Sequence, residues 1–263
     1  MLTKLLKYEA KTTARVLLPI GGGVLAFTLV TGLANTILNS WSELPTAVEW
    51  MQALLNVAAV LALVFVSGVC VFVNVQRFYR LLGEQGYLML SLPVPVWKHI
   101  AAKLITACVW TVLGIGYLLL CGTILGGSFV SLSFSGDVVT PDAVAAFMML
   151  FLLLLVVLAG TYLEFYMACA IGGQFGQQRL LASIVAYFVI GFVEQVLCVF
   201  LVIILALGAI QINAFAWFEM FYQADSFWSV IYIFTVLILG LLIVNAIKWA
   251  ITQWLMTRRL NLA

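Results

Sequence analysis

Residues 77–103 read RFYRLLGEQGYLMLSLPVPVWKHIAAK, and this stretch sits between two long apolar segments. It holds Arg77, Arg80, Lys98 and Lys103, four of the chain's twelve lysines and arginines, together with its one histidine, His99. Gly83 and Gly86 predict the stop of a helix, because a residue without a β-carbon accepts the left-handed conformation that closes it. Tyr87, Leu88, Met89, Leu90 and Leu92 then form an apolar run too short to cross a bilayer. Pro93 and Pro95 end that run, since each lacks an amide hydrogen and restricts the residue before it. A short amphipathic piece framed by turns and flanked by charge belongs in water at a membrane edge. It reads as a docking element for something in the cytoplasm.

Working outward, composition decides the class. The chain is 65% hydrophobic and 8% charged, with a mean hydropathy of +1.20. A soluble domain carries about 25% charged residues, so this chain could not cover a water-facing surface. Apolar runs recur six times, each long enough for the roughly 30 Å hydrocarbon layer. They lack the period-2 alternation of barrel strands, so the expected fold is an all-α membrane protein with six transmembrane helices. No cleavable signal is visible: the amino terminus is basic, but its apolar run is too long. The five cysteines, 70, 108, 121, 169 and 198, all fall in apolar runs without CxxC or metal spacing. They read as small core residues. A net charge of +2 argues against nucleic acid as a partner.

Residues 1–15 are expected to form an amphipathic interfacial helix ahead of a six-helix transmembrane domain at 16–263. At about 100° per residue, Lys4, Lys7, Lys11 and Arg15 share one face, with Leu2, Leu5 and Leu6 opposite. Glu9 falls on the apolar side, where it either snorkels to water or pairs with Arg77 or Arg80. The six spans are expected near 16–38, 51–76, 104–126, 143–171, 180–210 and 230–250. Pro19 and Gly21 to Gly23 predict a bend or a close helix contact in the first. Gly122 and Gly126 stand at GxxxG spacing in the third, a possible packing face. Residues 211–229, QINAFAWFEMFYQADSFWS, are too polar to cross and too aromatic for a free loop, and read as interfacial or re-entrant. On this map every lysine and arginine lies on one side. Glu43, Glu49, Asp137, Asp142, Glu219 and Asp225 lie on the other, so the positive-inside rule puts both termini in the cytoplasm.

No catalytic constellation is present. One histidine rules out a histidine metal cluster and HExxH, and no GxxxxGK[ST] occurs, so the chain cannot itself cradle ATP. His99 is expected at the membrane edge. The informative charges are two intramembrane carboxylates, Glu164 in the fourth span and Glu194, beside Gln195, in the fifth. An ionised carboxylate there costs about 2.5–3.5 kcal/mol, so each should face protein or a water-filled path. The structural alternative is a protonated or hydrogen-bonded glutamate that pins helix packing.

The arginines, Gly-Glu-Gln-Gly at 83–86, five residues, Leu92-Pro93 and Lys98 together resemble the first cytoplasmic loop of ABC-2 type transporter permeases. LTKLLKYEAKTTARVLLP at the amino terminus resembles the start of the small permeases of that family from Gram-positive bacteria, and IGGQFGQQR at 171–179 resembles their second cytoplasmic loop. The resemblance implies a plasma-membrane exporter subunit, working as a dimer of identical or related permeases. Separate cytoplasmic ATPase subunits would carry ATP and magnesium, so the chain itself is expected to be no enzyme and to hold no cofactor. It implies that Arg77, Arg80, Glu84, Gly86, Tyr87, Leu88, Leu90 and Pro93 dock the ATPase. It also implies that the segment after the fifth span lines the cavity near the outer gate. Glu164, Glu194, Gln195 and Trp217 are then the expected substrate path, suited to a cationic or amphipathic cargo, with Phe192 and Tyr187 adding apolar contact. The other reading is a six-helix substrate-binding membrane subunit of a vitamin-uptake system, though such subunits lack both the amphipathic start and the Leu-Pro loop.

Overall fold

Six helices follow one another in the computed structural model, which describes residues 2–41, 45–81, 95–126, 141–175, 178–211 and 226–258. They are α1 (Leu2–Leu38), α2 (Thr46–Leu81), α3 (Val96–Leu125), α4 (Pro141–Gly172), α5 (Arg179–Gln211) and α6 (Ser226–Arg258). No strand occurs among the described residues. All six are long and apolar enough to cross a membrane. In hydrocarbon every backbone amide must be satisfied within its own segment, and only continuous helix does that for chains of this pattern. Their side chains agree: Leu54, Phe65, Phe188 and Phe192 are each more than 60% exposed. Faces so apolar and so open are stable against lipid and unstable against water. The chain is a multi-pass membrane protein.

The helix α1 runs unbroken from Leu2 through Pro19 to Leu38, so no break separates residues 2–15 from the first span. Its 37 residues, at about 1.5 Å each, make a rod longer than the hydrocarbon layer is thick. A β-carbon at Gly21, Gly22 or Gly23 would meet nothing within 4 Å, so the expected close contact is not made there. Nor is it made at Gly122, which is equally open. The close approach is Gly32, where a β-carbon would lie 2.7 Å from both the carbonyl oxygen and a side-chain methyl of Ile124.

The chain divides into two compact units, residues 1–77 with 98–135 and residues 78–97 with 136–263. In the first, Ala59 and Leu63 of α2 and Ile100, Ala102, Ala107 and Cys121 of α3 are buried. One end is tied by amides: Asn35 Nδ2 donates to Asn56 Oδ1 at 2.8 Å and to the Leu125 carbonyl at 3.2 Å. Gln52 Nε2 donates to Asn35 Oδ1 at 3.1 Å. Such amide pairs hold helices together where lipid offers no hydrophobic drive.

In the second unit α4 packs against both α5 and α6. Tyr166 is fully buried and stacks on Phe78 with ring centroids 3.9 Å apart. Asn245 Nδ2 of α6 donates to the Val156 carbonyl of α4 at 2.9 Å, and Gly160 leaves the room for that side chain, since a β-carbon would lie 2.6 Å from Asn245 Oδ1. The turn after α4 is closed by Gly173 N–H donating to the Cys169 carbonyl at 2.8 Å. A side chain at Gly172 would run into Ser183, so glycine there lets α4 and the start of α5 meet. Cys70, Cys121 and Cys169 are buried as small core residues, whereas Cys198 is exposed.

Candidate functional site

Six charged side chains of the helices gather into two clusters, one in each unit. The first joins α1, α2 and α3. Glu9 Oε1 lies 3.0 Å from Lys103 Nζ, and Glu9 Oε2 lies 3.3 Å from Arg77 Nη2. Arg77 Nη1 also donates to the Glu9 carbonyl at 2.8 Å and to the Thr13 hydroxyl. Lys103 Nζ donates to the Arg77 carbonyl at 3.1 Å. The carboxylate thus sits between two cations, each held by a further backbone acceptor, which is what a buried ion group needs to be tolerated. Side-chain exposure is 5% for Glu9, 8% for Lys103 and 17% for Arg77.

The place of this cluster gives it meaning. Arg77 lies one turn before the end of α2, which residues 82–94 follow, and Lys103 lies two turns into α3. One glutamate of α1 therefore clasps both ends of the charged loop. Of the alternatives for Glu9, pairing with Arg77 is the one found, with Lys103 added; Arg80 is exposed on the last turn of α2. His99, expected at the membrane edge, is 1% exposed, one turn from Lys103. Among the described residues its Nε2 has no hydrogen-bond partner.

The second cluster joins α4, α5 and α6. Lys248 Nζ lies 2.8 Å from Glu194 Oε1 and 2.9 Å from Glu194 Oε2. Glu164 Oε2 stands 3.6 Å from the same nitrogen. Glu164 reaches toward α5 because position 191 is glycine: a β-carbon there would lie 3.3 Å from Glu164 Oε1. Phe165 and Tyr187 stack beside it with ring centroids 4.5 Å apart. Glu194 is the most open member, its side chain 34% exposed, against 16% for Glu164 and 7% for Lys248.

Glu164 and Glu194, expected on one path, are thus brought together by the structure. Their common partner, Lys248, was not legible from the charge pattern, which placed it only with every other cation on one side. The depth of Lys248 was the available signal: ten residues from the end of α6, it stands about 15 Å inside the helix. Gln195 is exposed on α5 and does not join the cluster's contacts. Glu84, Gly86, Tyr87, Leu88, Leu90, Pro93 and Trp217 lie outside the described residues. No group of three or more metal-ligating side chains occurs among the described residues. Comparison of the chain with protein-family models, with curated proteins and with solved structures finds no match.

Proposed function

We propose that the chain is the transmembrane permease subunit of an ABC-2 type exporter. It would lie in the plasma membrane with both termini in the cytoplasm, pair with a second copy or a related permease, and be driven by separate ATPase subunits that hold ATP and magnesium. The observation that carries the reading is the Arg77–Glu9–Lys103 cluster at the base of the charged loop. A loop pushed by a partner moves helices only if its ends are fixed to them. Here both ends are fixed to α1 by one buried carboxylate, so a force on residues 82–94 passes to α1, α2 and α3 together.

The finer membrane arrangement follows from the same reading. The turns of α1 that carry Lys4, Lys7, Lys11 and Arg15 lie at headgroup depth on the cytoplasmic side. Of the segment 211–229, expected as re-entrant or interfacial, Gln211 ends α5 and residues 226–229 open α6, while residues 212–225 lie outside the described residues. The Glu164–Glu194–Lys248 cluster carries two carboxylates against one ammonium, and its open member, Glu194, meets cargo. That excess of negative charge favours a cationic, amphipathic substrate.

Inside-out membrane vesicles test this. With ATP outside, a lipophilic phosphonium cation should accumulate in the lumen, and Glu194→Gln should abolish the accumulation. Entry of the probe into right-side-out vesicles driven by internal ATP would instead favour a substrate-binding uptake subunit. Movement indifferent to ATP would end both readings.

A further inference from the structure

A cavity of about 470 Å³ lies in the first unit between α1, α2 and α3. It falls in the range of roughly 300–1,000 Å³ typical of small-molecule sites. Its walls include Leu18, Gly22 and Leu25 of α1, Val66 of α2, and Trp110 and Gly114 of α3. The phenol in its wall is already used: Tyr117 Oη donates to the Gly21 carbonyl at 2.8 Å. A water needs two to four polar partners, and this lining is mostly aliphatic side chains and glycines. Hydrocarbon suits it. Three lining residues, Gly21, Gly22 and Gly114, are glycines whose β-carbon would meet nothing within 4 Å, so the space at Gly22 and Gly114 exists because no side chain occupies it.

The same face of α1 continues upward as a ladder of charge. Lys4, Lys7, Lys11 and Arg15 recur at spacings of three and four, and Leu18, Gly22 and Leu25 extend that series without a change of phase. Residues at such spacings lie above one another on a helix. The four cations are exposed, while the opposite face carries Glu9 and Thr13 into the first charge cluster. From Arg15 to Leu25 is ten residues, about 15 Å of helix, which is half of the roughly 30 Å hydrocarbon layer. Arg15 at the headgroup boundary therefore sets Leu25 near the midplane, the depth at which a lipid chain of that leaflet ends.

We propose that this face binds one anionic phospholipid, its phosphate held by Arg15 and Lys11 and one acyl chain lying in the glycine-walled cavity. The inference rests on the chain spanning a membrane and not on its being an exporter. Arginine and lysine beside a membrane surface attract anionic headgroups. The cavity adds what a surface patch lacks, a groove for the chain beneath the charge. Occupancy would fill the space between α1 and α3 and fix their separation.

Tryptophan quenching tests the site with the intact protein. Bilayers of phosphatidylcholine would carry graded amounts of phosphatidylglycerol brominated on its acyl chains, and the difference between wild type and Trp110→Phe isolates the signal of Trp110. Quenching should saturate at a low mole fraction. About tenfold more brominated lipid should be needed when the headgroup is phosphatidylcholine or when Arg15 becomes Gln. Gly22→Leu and Gly114→Leu should each remove the saturating part. Gly116→Leu, on the same helix as Gly114 but outside the cavity wall, should keep it and so controls for folding. Quenching in simple proportion to brominated lipid, equal for both headgroups, would overturn the proposal. So would saturation that survives both cavity-filling substitutions.

Discussion

The two charge clusters are near mirror images in composition and unlike in setting. One holds a single carboxylate between two cations; the other holds a single ammonium between two carboxylates. In the first, each cation is also bonded to a backbone carbonyl, and the carboxylate is 5% exposed. In the second, the ammonium is 7% exposed but its closest carboxylate is 34% exposed, and the other carboxylate stands off at 3.6 Å. Closed geometry with saturated partners is what a fixed joint requires. Open geometry with one partly exposed carboxylate is what an exchangeable contact requires. Burial and the second set of hydrogen bonds separate the two roles, because number and type of charge do not.

The largest expected effect breaks the first cluster. Glu9→Ala leaves Arg77 and Lys103 facing each other without a counter-charge, and removing one partner of a buried ionic group costs about 3–5 kcal/mol. Unfolding of the purified protein in detergent should show that loss. A change below about 1 kcal/mol would put Glu9 with surface ion pairs instead.

A middle-sized effect asks whether close backbone packing in the same unit is as strict as the ion group. Gly32→Ala drives a β-carbon against the Ile124 carbonyl oxygen, and overpacking of this kind costs about 1–3 kcal/mol. Gly122→Ala, with open space at the β-carbon, should be neutral to slightly stabilising. Equal melting temperatures for the two variants would show that α1 and α3 slide apart freely at this point.

The smallest effect sharpens the contrast. Glu194→Gln keeps the shape, leaves Glu164 to face Lys248, and removes charge from a partly exposed group. Its cost should stay under about 1 kcal/mol, even though the substitution should abolish ATP-driven movement of a cation. A loss as large as that of Glu9→Ala would make the second cluster a fixed joint as well.

Hydrophobicity made the six spans legible, because a run that must satisfy its own backbone in lipid has to be long and apolar throughout. The pairing of Glu9 with Arg77 was half legible: a carboxylate on the apolar side of an amphipathic turn needs a cation. Which cations reach it depends on how α2 and α3 return, so Lys103 was not. Lys248 was misgrouped for a related reason. Charge counting assigns a lysine to the nearer membrane face, whereas its depth in α6 and the facing glutamates decide its environment. The glycines show the same limit. Spacing marked Gly122 and Gly126, but the close approach falls at Gly32, because helix rotation is set by the whole interface and not by a local pattern.

The central claim is that a cytoplasmic ATPase drives this chain through the loop clasped by Glu9. The most direct measurement is ATP hydrolysis that copurifies with the chain from native membranes, compared between wild type and Leu90→Asp. On that claim, a charge in place of the apolar Leu90 should lower the copurifying activity by at least about tenfold, with expression and membrane insertion unchanged. Wild-type protein that brings no ATP hydrolysis with it, or a Leu90→Asp variant that brings as much, would contradict the account.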